Sequence, residues 1–223
     1  MFTTLSTKIK STLAAVAVVA TIGSVAIGSS AQALTLPNGT TLPDSAFVKV
    51  DANGQPARWD PCAPAYWKLY KVGLPKGSIR ATVKAMRQLK QATGINFMYL
   101  GAATAAEMAN PPAHTIVVGF TSALPKTRAG IARSTFGGGP NGSLVILSAQ
   151  VKISRLTAKR SATRFPEMLP VLLHELGHAV GIGHSSSTRE VMNPFVVPVY
   201  KYQGLDLVKL GAVSASNGCH PLA

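Results

Sequence analysis

The sequence predicts an α/β (α+β) domain: a twisted, mixed but mostly parallel sheet with one surface helix, one buried helix and a small C-terminal subdomain. Three observations predict it. The chain has 223 residues, enough for one compact domain with a sizeable core and too few for two large ones. Residues 66–72, 77–92 and 95–100 read as strand, helix and strand, and that order implies a parallel pair joined by a crossover. Farther on, Val171, Leu172, Leu173, Leu176, Ala179 and Val180 make one helical stretch apolar on nearly every side, so this second helix belongs inside the core.

The chain begins with a segment outside that core. Residues 1–10 carry Lys8 and Lys10 and no acid, 13–27 are mostly apolar and small, and Ala31-Gln32-Ala33 is an A-x-A cleavage signature. The pattern is that of a secretory signal peptide over 1–33. A retained anchor is the alternative, and the shortness of the apolar run counts against it, since a span needs about 20 residues. Residues 34–57, rich in Thr, Pro, Gly and Asn, form an extended arm or a small hairpin, and the main domain occupies 58–223.

Within that domain Trp59 is a core anchor. In helix 77–92, Ile79, Val83, Met86 and Leu89 share one side and Arg80, Lys84 and Arg87 another; the basic stripe is more simply a solvated face than an anion site. Residues 102–113 are a small-residue loop. His114, isolated from the other histidines, suits a surface or capping role, and 115–120 is a third strand. The Gly-, Pro- and base-rich stretch 121–142 lacks the Lys-Ser/Thr of a phosphate cradle and reads as a mobile loop at the rim of a cleft. In strand 143–149, Leu144, Val145 and Ile146 are candidates to bind an extended peptide by strand addition at a sheet edge, with an ordinary sheet strand as the alternative. A basic connector, 152–164, leads to the buried helix, which starts near Pro170 because proline fits a first helical turn; 205–213 is a short final helix.

The buried helix leads into His174-Glu175-Leu176-Gly177-His178-Ala179-Val180-Gly181-Ile182-Gly183-His184, a full HExxHxxGxxH pattern. Its five specified residues would meet by chance in a chain of this size on the order of once in 100,000, which rules out accident. Positions i and i+4 share a helix face, so His174 and His178 can ligate one metal ion, with Glu175 at its edge. Gly181 permits a positive-φ turn that returns His184 as a third ligand. Three protein nitrogens leave a fourth tetrahedral position open, the arrangement of a catalytic zinc.

Cys62 and Cys219 are the only two cysteines. In an exported protein a single disulfide is the simple reading, with Cys62 as a zinc-blocking thiol the weaker option. The 22 Lys and Arg exceed the 8 Asp and Glu, a net charge of +14; without Lys8 and Lys10 the balance is 20 against 8, or +12. Such an excess draws a protein to polyanions such as cell-wall polymers, acidic lipids or acidic proteins. No motif directs it to nucleic acid.

The long motif followed by Val191-Met192-Asn193-Pro194 resembles the metzincin zinc endopeptidases, and Ser185 after the third histidine together with Pro194 is similar to their matrixin branch. Trp59-Asp60-Pro61-Cys62 also resembles the opening of small secreted bacterial members. The resemblance implies a zincin-type fold with one catalytic Zn2+ on His174, His178 and His184. It further implies Glu175 as general base, Met192 as an apolar floor, and the segment from Pro194 as wall of the pocket for the side chain just beyond the scissile bond. No PRCGxPD cysteine switch precedes the domain. With five histidines and eight acidic residues in all, the family's further structural zinc and calcium sites are not expected. The expectation is a monomeric, secreted metalloendopeptidase acting on peptide or protein, with cell-wall association an option its charge leaves open. A catalytically idle zinc protein held to surfaces, and a zinc hydrolase of cell-wall peptides, are the rivals.

Overall fold

A computed structural model describes residues 33–160 and 165–219. The signal-peptide expectation for 1–33 therefore lies almost wholly outside the described residues. The arm is a hairpin: β1 (Ala33–Thr35) pairs antiparallel with β2 (Thr41–Pro43), turned at Gly39 with φ of 81°. The chain then runs through β3 (Ala65–Tyr70), α1 (Ser78–Thr93), β4 (Phe97–Ala103), α2 (Ala105–Ala109), β5 (Thr115–Thr121), β6 (Gly130–Gly138), β7 (Leu144–Ser154), α3 (Arg155–Arg160), α4 (Phe165–Ala179) and α5 (Leu205–Ala212).

The five-stranded sheet has the order β4-β3-β5-β7-β6. Neighbours are parallel except β6, which runs antiparallel to β7. The mixed, mostly parallel sheet and its two long helices are those expected. At the centre β5 is buried on both faces, with Ile116, Val117 and Val118 fully enclosed, as a strand covered by helices requires. Trp59 is buried, stacks edge-on against Phe97 at 5.3 Å and donates its indole N–H to the Ala179 carbonyl at 2.9 Å. One ring thus joins the edge of the sheet to the end of α4.

Several expectations are corrected. The stretch 121–142 is not a loop throughout, because its second half is β6. Strand β7 is longer than 143–149 and lies between β5 and β6, so it is not an edge strand. Val145 and Ile146 are buried in the core, Leu144 packs against that core, and none of the three faces the cleft; both edges of β7 are already hydrogen-bonded to neighbours. The sheet edge on that side belongs to β6. The buried helix starts at Phe165, not Pro170, and Pro170 lies inside it. A proline six residues into a helix forfeits one backbone bond near the end rather than breaking the element.

Part of the supposed loop 102–113 is α2, closed by a capping box in which Thr104 and Glu107 exchange side-chain and backbone bonds. In α1 the buried stripe is Ser78, Ala81, Thr82, Ala85, Met86, Leu89 and Thr93. Ile79 is 53% exposed, because the small Ala81 and Ala85 let α1 approach α4 closely and the helix turns them inward. Among the described residues no helix is long and apolar enough to cross a membrane.

Cys62 and Cys219 form a disulfide across 157 positions, with Cα atoms 5.3 Å apart. Arg58 reinforces the closure by donating to the carbonyls of Asn217 and Gly218. Closing a loop this long removes denatured-state entropy worth up to about 5 kcal/mol. The double variant Cys62→Ser, Cys219→Ser is expected to lose roughly 2–5 kcal/mol of unfolding free energy in a denaturant titration, and an unchanged midpoint would show that the staple does not matter.

Candidate metal centre

Helix α4 presents His174 and His178 one turn apart, and its C-terminal geometry explains how His184 joins them. Ile182 N–H donates to the Gly177 carbonyl at 3.1 Å and Gly181 N–H to that of His178 at 3.0 Å. With Gly181 at φ of 107°, this is a Schellman cap. A Cβ on Gly181 would lie 2.5 Å from the Ala57 carbonyl oxygen, so both conformation and space demand glycine there.

The three imidazoles converge. His178 Nε2 is 3.1 Å from His174 Nε2 and 3.2 Å from His184 Nε2. Among the described residues these three form a group of ligand-type side chains close enough to share one metal ion. Tetrahedral Zn–N bonds of about 2.0–2.1 Å place nitrogens roughly 3.3–3.4 Å apart, so the donor set fits zinc. His174 Nδ1 lies 2.9 Å from the Val191 carbonyl and His178 Nδ1 2.9 Å from that of Ile182. A carbonyl only accepts, so each Nδ1 carries the proton and each Nε2 turns its lone pair to the centre. Burial, helped by neighbouring His174, pushes His178 down to about 3, and burial also lowers His174 and His184. The site therefore offers neutral ligands, the form that binds metal.

Glu175 is buried beside the triad, and burial raises its carboxyl to about 7 against the opposing pull of the Ala132 N–H and the Arg128 charge. Its side chain fills the space over Gly130 of β6: a Cβ there would come within 2.7 Å of Glu175 Oε1. Met192 is fully buried beneath Gly177, whose missing Cβ makes room for the sulfur. Around the triad opens a cleft of about 1000 Å³, lined by 127–132 from β6 and its lead-in, by α4, by Pro194–Val197, and by Ser45, Phe47 and Val48 from the arm. Pro194 is thus among the lining residues; His114 lies elsewhere, its backbone paired with Tyr66 and Leu147.

The sequence reading missed a buried polar layer under the methionine turn. Asp206 Oδ2 accepts the N–H groups of Val191 at 2.7 Å and Met192 at 3.4 Å. Glu190 accepts the Ser185 hydroxyl and, at 2.7 Å, the Leu205 N–H. Lys209, only 1% exposed, donates to the carbonyls of Gly183 at 3.2 Å and His184 at 2.7 Å. Burial lowers the Lys209 ammonium, while the nearby Asp206 and Glu190 carboxylates favour its charged form. Charged residues on the apolar 205–213 pattern were the available signal, because a lysine three residues after an aspartate shares its helix face.

This fold and site define a zinc-metallopeptidase type of centre, three histidines and a glutamate on a helix-and-turn unit under a sheet edge. Residues 133–209 match the family model described as Matrixin, and over that stretch the chain is similar to the matrixin-like metzincins. No curated protein matches the chain. The match supports a zinc-dependent metallopeptidase in general and spans the triad, the methionine turn and most of α5.

Lys209 acts on the centre through the backbone that carries His184 and, by its charge, helps hold His178 and His184 neutral. The variant Lys209→Met is expected to weaken zinc binding by about 10- to 100-fold, read by competition with a fluorescent chelator, while circular dichroism stays native. Undiminished zinc affinity would show that the clamp does not position the third ligand.

Proposed function

We propose that the chain is an exported zinc-dependent endopeptidase in which Glu175 is the general base. The observation that carries the reading is the conjunction of three converging Nε2 atoms and a buried carboxylate on the floor of an open, elongated cleft. His174, His178 and His184 would hold the metal. Zinc bound there supplies Lewis acidity, bringing a coordinated water's pKa to about 7 and polarising the scissile carbonyl.

The chain's own groups do the rest. Glu175 takes a proton from the attacking water and returns it to the leaving amine, a role favoured by burial that raises its proton affinity from the ordinary carboxylate range toward neutrality. The Ala132 N–H and Gly130 fix the carboxylate from above, so its reach is set by β6 rather than by its own rotamers. As the terminal strand of the sheet, β6 offers outward backbone groups on which an extended peptide can lie by strand addition. Exported status is supported by the A-x-A segment at 31–33 and by the disulfide; the substrate is peptide or protein, and the +12 charge suits a polyanionic surface nearby.

Glu175→Ala is expected to retain zinc and lose on the order of 100-fold or more in turnover of an unstructured protein; full peptidase activity in that variant rejects the base. A chelator is expected to abolish cleavage by the parent chain. Parallel incubation with cell-wall material separates a hydrolase of wall peptides, and chelator-insensitive inertness toward both substrates favours an idle zinc protein.

Gly130→Val tests the strand's part in placing the base. The added carbons would displace the Glu175 carboxylate, and kcat is expected to fall by at least about tenfold with zinc affinity unchanged. Equal kcat in the two proteins would show that Glu175 takes its position from α4 alone.

A further inference from the structure

The cleft is lined along α4 by Pro170 and Val171, a turn before His174, and by His174 and His178, and also by the segment after Pro194, where Phe195 is 78% exposed. Past the end of α4 the lining includes Gly183 and, paired with that turn, Ser45, Phe47 and Val48 of the N-terminal arm. Resting on the endopeptidase reading, we propose that the arm segment 45–48 is a specificity-determining wall for substrate side chains on the amino side of the scissile bond, with Val48 as its contact residue and apolar side chains as its preferred class.

The arm is bound to the catalytic turn through its backbone. Val48 N–H donates to the Gly181 carbonyl at 2.8 Å, Gly183 N–H donates to the Ala46 carbonyl at 2.7 Å, and Phe47 bridges Ile182 in antiparallel fashion. A Cβ on Gly183 would lie 2.5 Å from the Ser45 carbonyl oxygen, so the sequence of the turn is cut to admit the arm. Next along the chain, Lys49 accepts the Ala57 N–H on its carbonyl and sets its ammonium 5.0 Å from the centre of the Phe136 ring on β6. The segment is therefore held to the metal-site turn by its backbone, and the residue after it reaches the edge strand.

Its side chains divide between support and contact. Phe47 is buried at 5% exposure and fixes the segment, whereas Val48 is 44% exposed and lines the cleft. An exposed valine on a wall whose backbone is immobilised gives an apolar surface at little ordering cost. On the endopeptidase reading, in which the segment from Pro194 receives the side chain after the scissile bond, a peptide running along the cleft would bring the residues before that bond to the arm.

The test digests a randomised peptide mixture with the 34–223 chain, with Val48→Glu and with Phe195→Glu, and sequences the products. The parent chain is expected to enrich apolar residues before the bond. Val48→Glu is expected to lower kcat/KM for those peptides roughly tenfold and move the preference before the bond toward Lys and Arg, with the preference after the bond as in the parent. Phe195→Glu is expected to change the preference after the bond instead. Val48→Ala, a milder change at an exposed position, is expected to shift preference in the same direction as any loss of apolar contact. An active parent chain whose preference before the bond is the same in both Val48 variants overturns the arm's role and leaves the endopeptidase reading standing. A parent chain that cleaves nothing overturns both.

Discussion

The turn at Gly181 is the constraint on which the centre depends. A helix alone supplies two ligands at i and i+4, and the third must come from chain that has reversed direction within six residues. The Schellman cap achieves that reversal, and Val180 and Ile182 bury their side chains in the core, but the glycines at 181 and 183 carry no side chain to hold their own positions. Contacts from outside fix the turn: the Ala57 carbonyl packed against Gly181, the arm strand at 46–48 paired with 181–183, the Trp59 indole on Ala179, and the Lys209 ammonium on the carbonyls of residues 183 and 184. Each meets the backbone, so each requires glycine or an unencumbered carbonyl at its point of contact.

Burying Lys209 beside the metal site carries an electrostatic cost, since an enclosed ammonium must be paired and hydrogen-bonded to remain charged. Here the hydrogen bonds go to the Gly183 and His184 carbonyls, and the nearby Asp206 and Glu190 carboxylates, which have other duties, favour the charged form. Asp206 already holds the methionine turn by its N–H groups, and Glu190 already holds Ser185 and the start of α5. The hydrogen bonds of Asp206, Glu190 and Lys209 thus link the turn of His184, the methionine turn and α5 into one block. The Val191 carbonyl, whose N–H is held by Asp206, is in turn the acceptor that orients His174. Ligand geometry and the polar layer are the same network.

The edge strand closes the site from the other side. A glycine at 130 lets β6 descend onto Glu175, and the Ala132 N–H meets the carboxylate there. A strand that both meets the Glu175 carboxylate and ends the sheet holds that carboxylate by sheet geometry, which is stiffer than a loop. The missing Cβ at 130 is a condition of that arrangement, because any side chain would occupy the carboxylate's space.

How much of this was legible in the sequence follows from the range of each signal. The ligands, Glu175, the glycine turn and the methionine turn were readable because the motif packs its chemistry into helical spacing and one cap, and local spacing determines local geometry. The order of β3, α1 and β4 was readable from a change of period, and the Cys62–Cys219 pairing from there being two cysteines. What tertiary structure decided was neighbourhood. Leu144–Ile146 looked like an edge strand, but an apolar run cannot say on which side another strand will pair, and β6 took the edge from a Gly-rich stretch with too little periodicity to show itself. Pro170 looked like a helix start because only the first turn tolerates proline freely, yet packing of Met168 and Leu169 in the core extends α4 upstream. Lys209 and Val48 carry no motif at all: each meets backbone 25 or more positions away, and only the folded chain brings such groups within reach of one another.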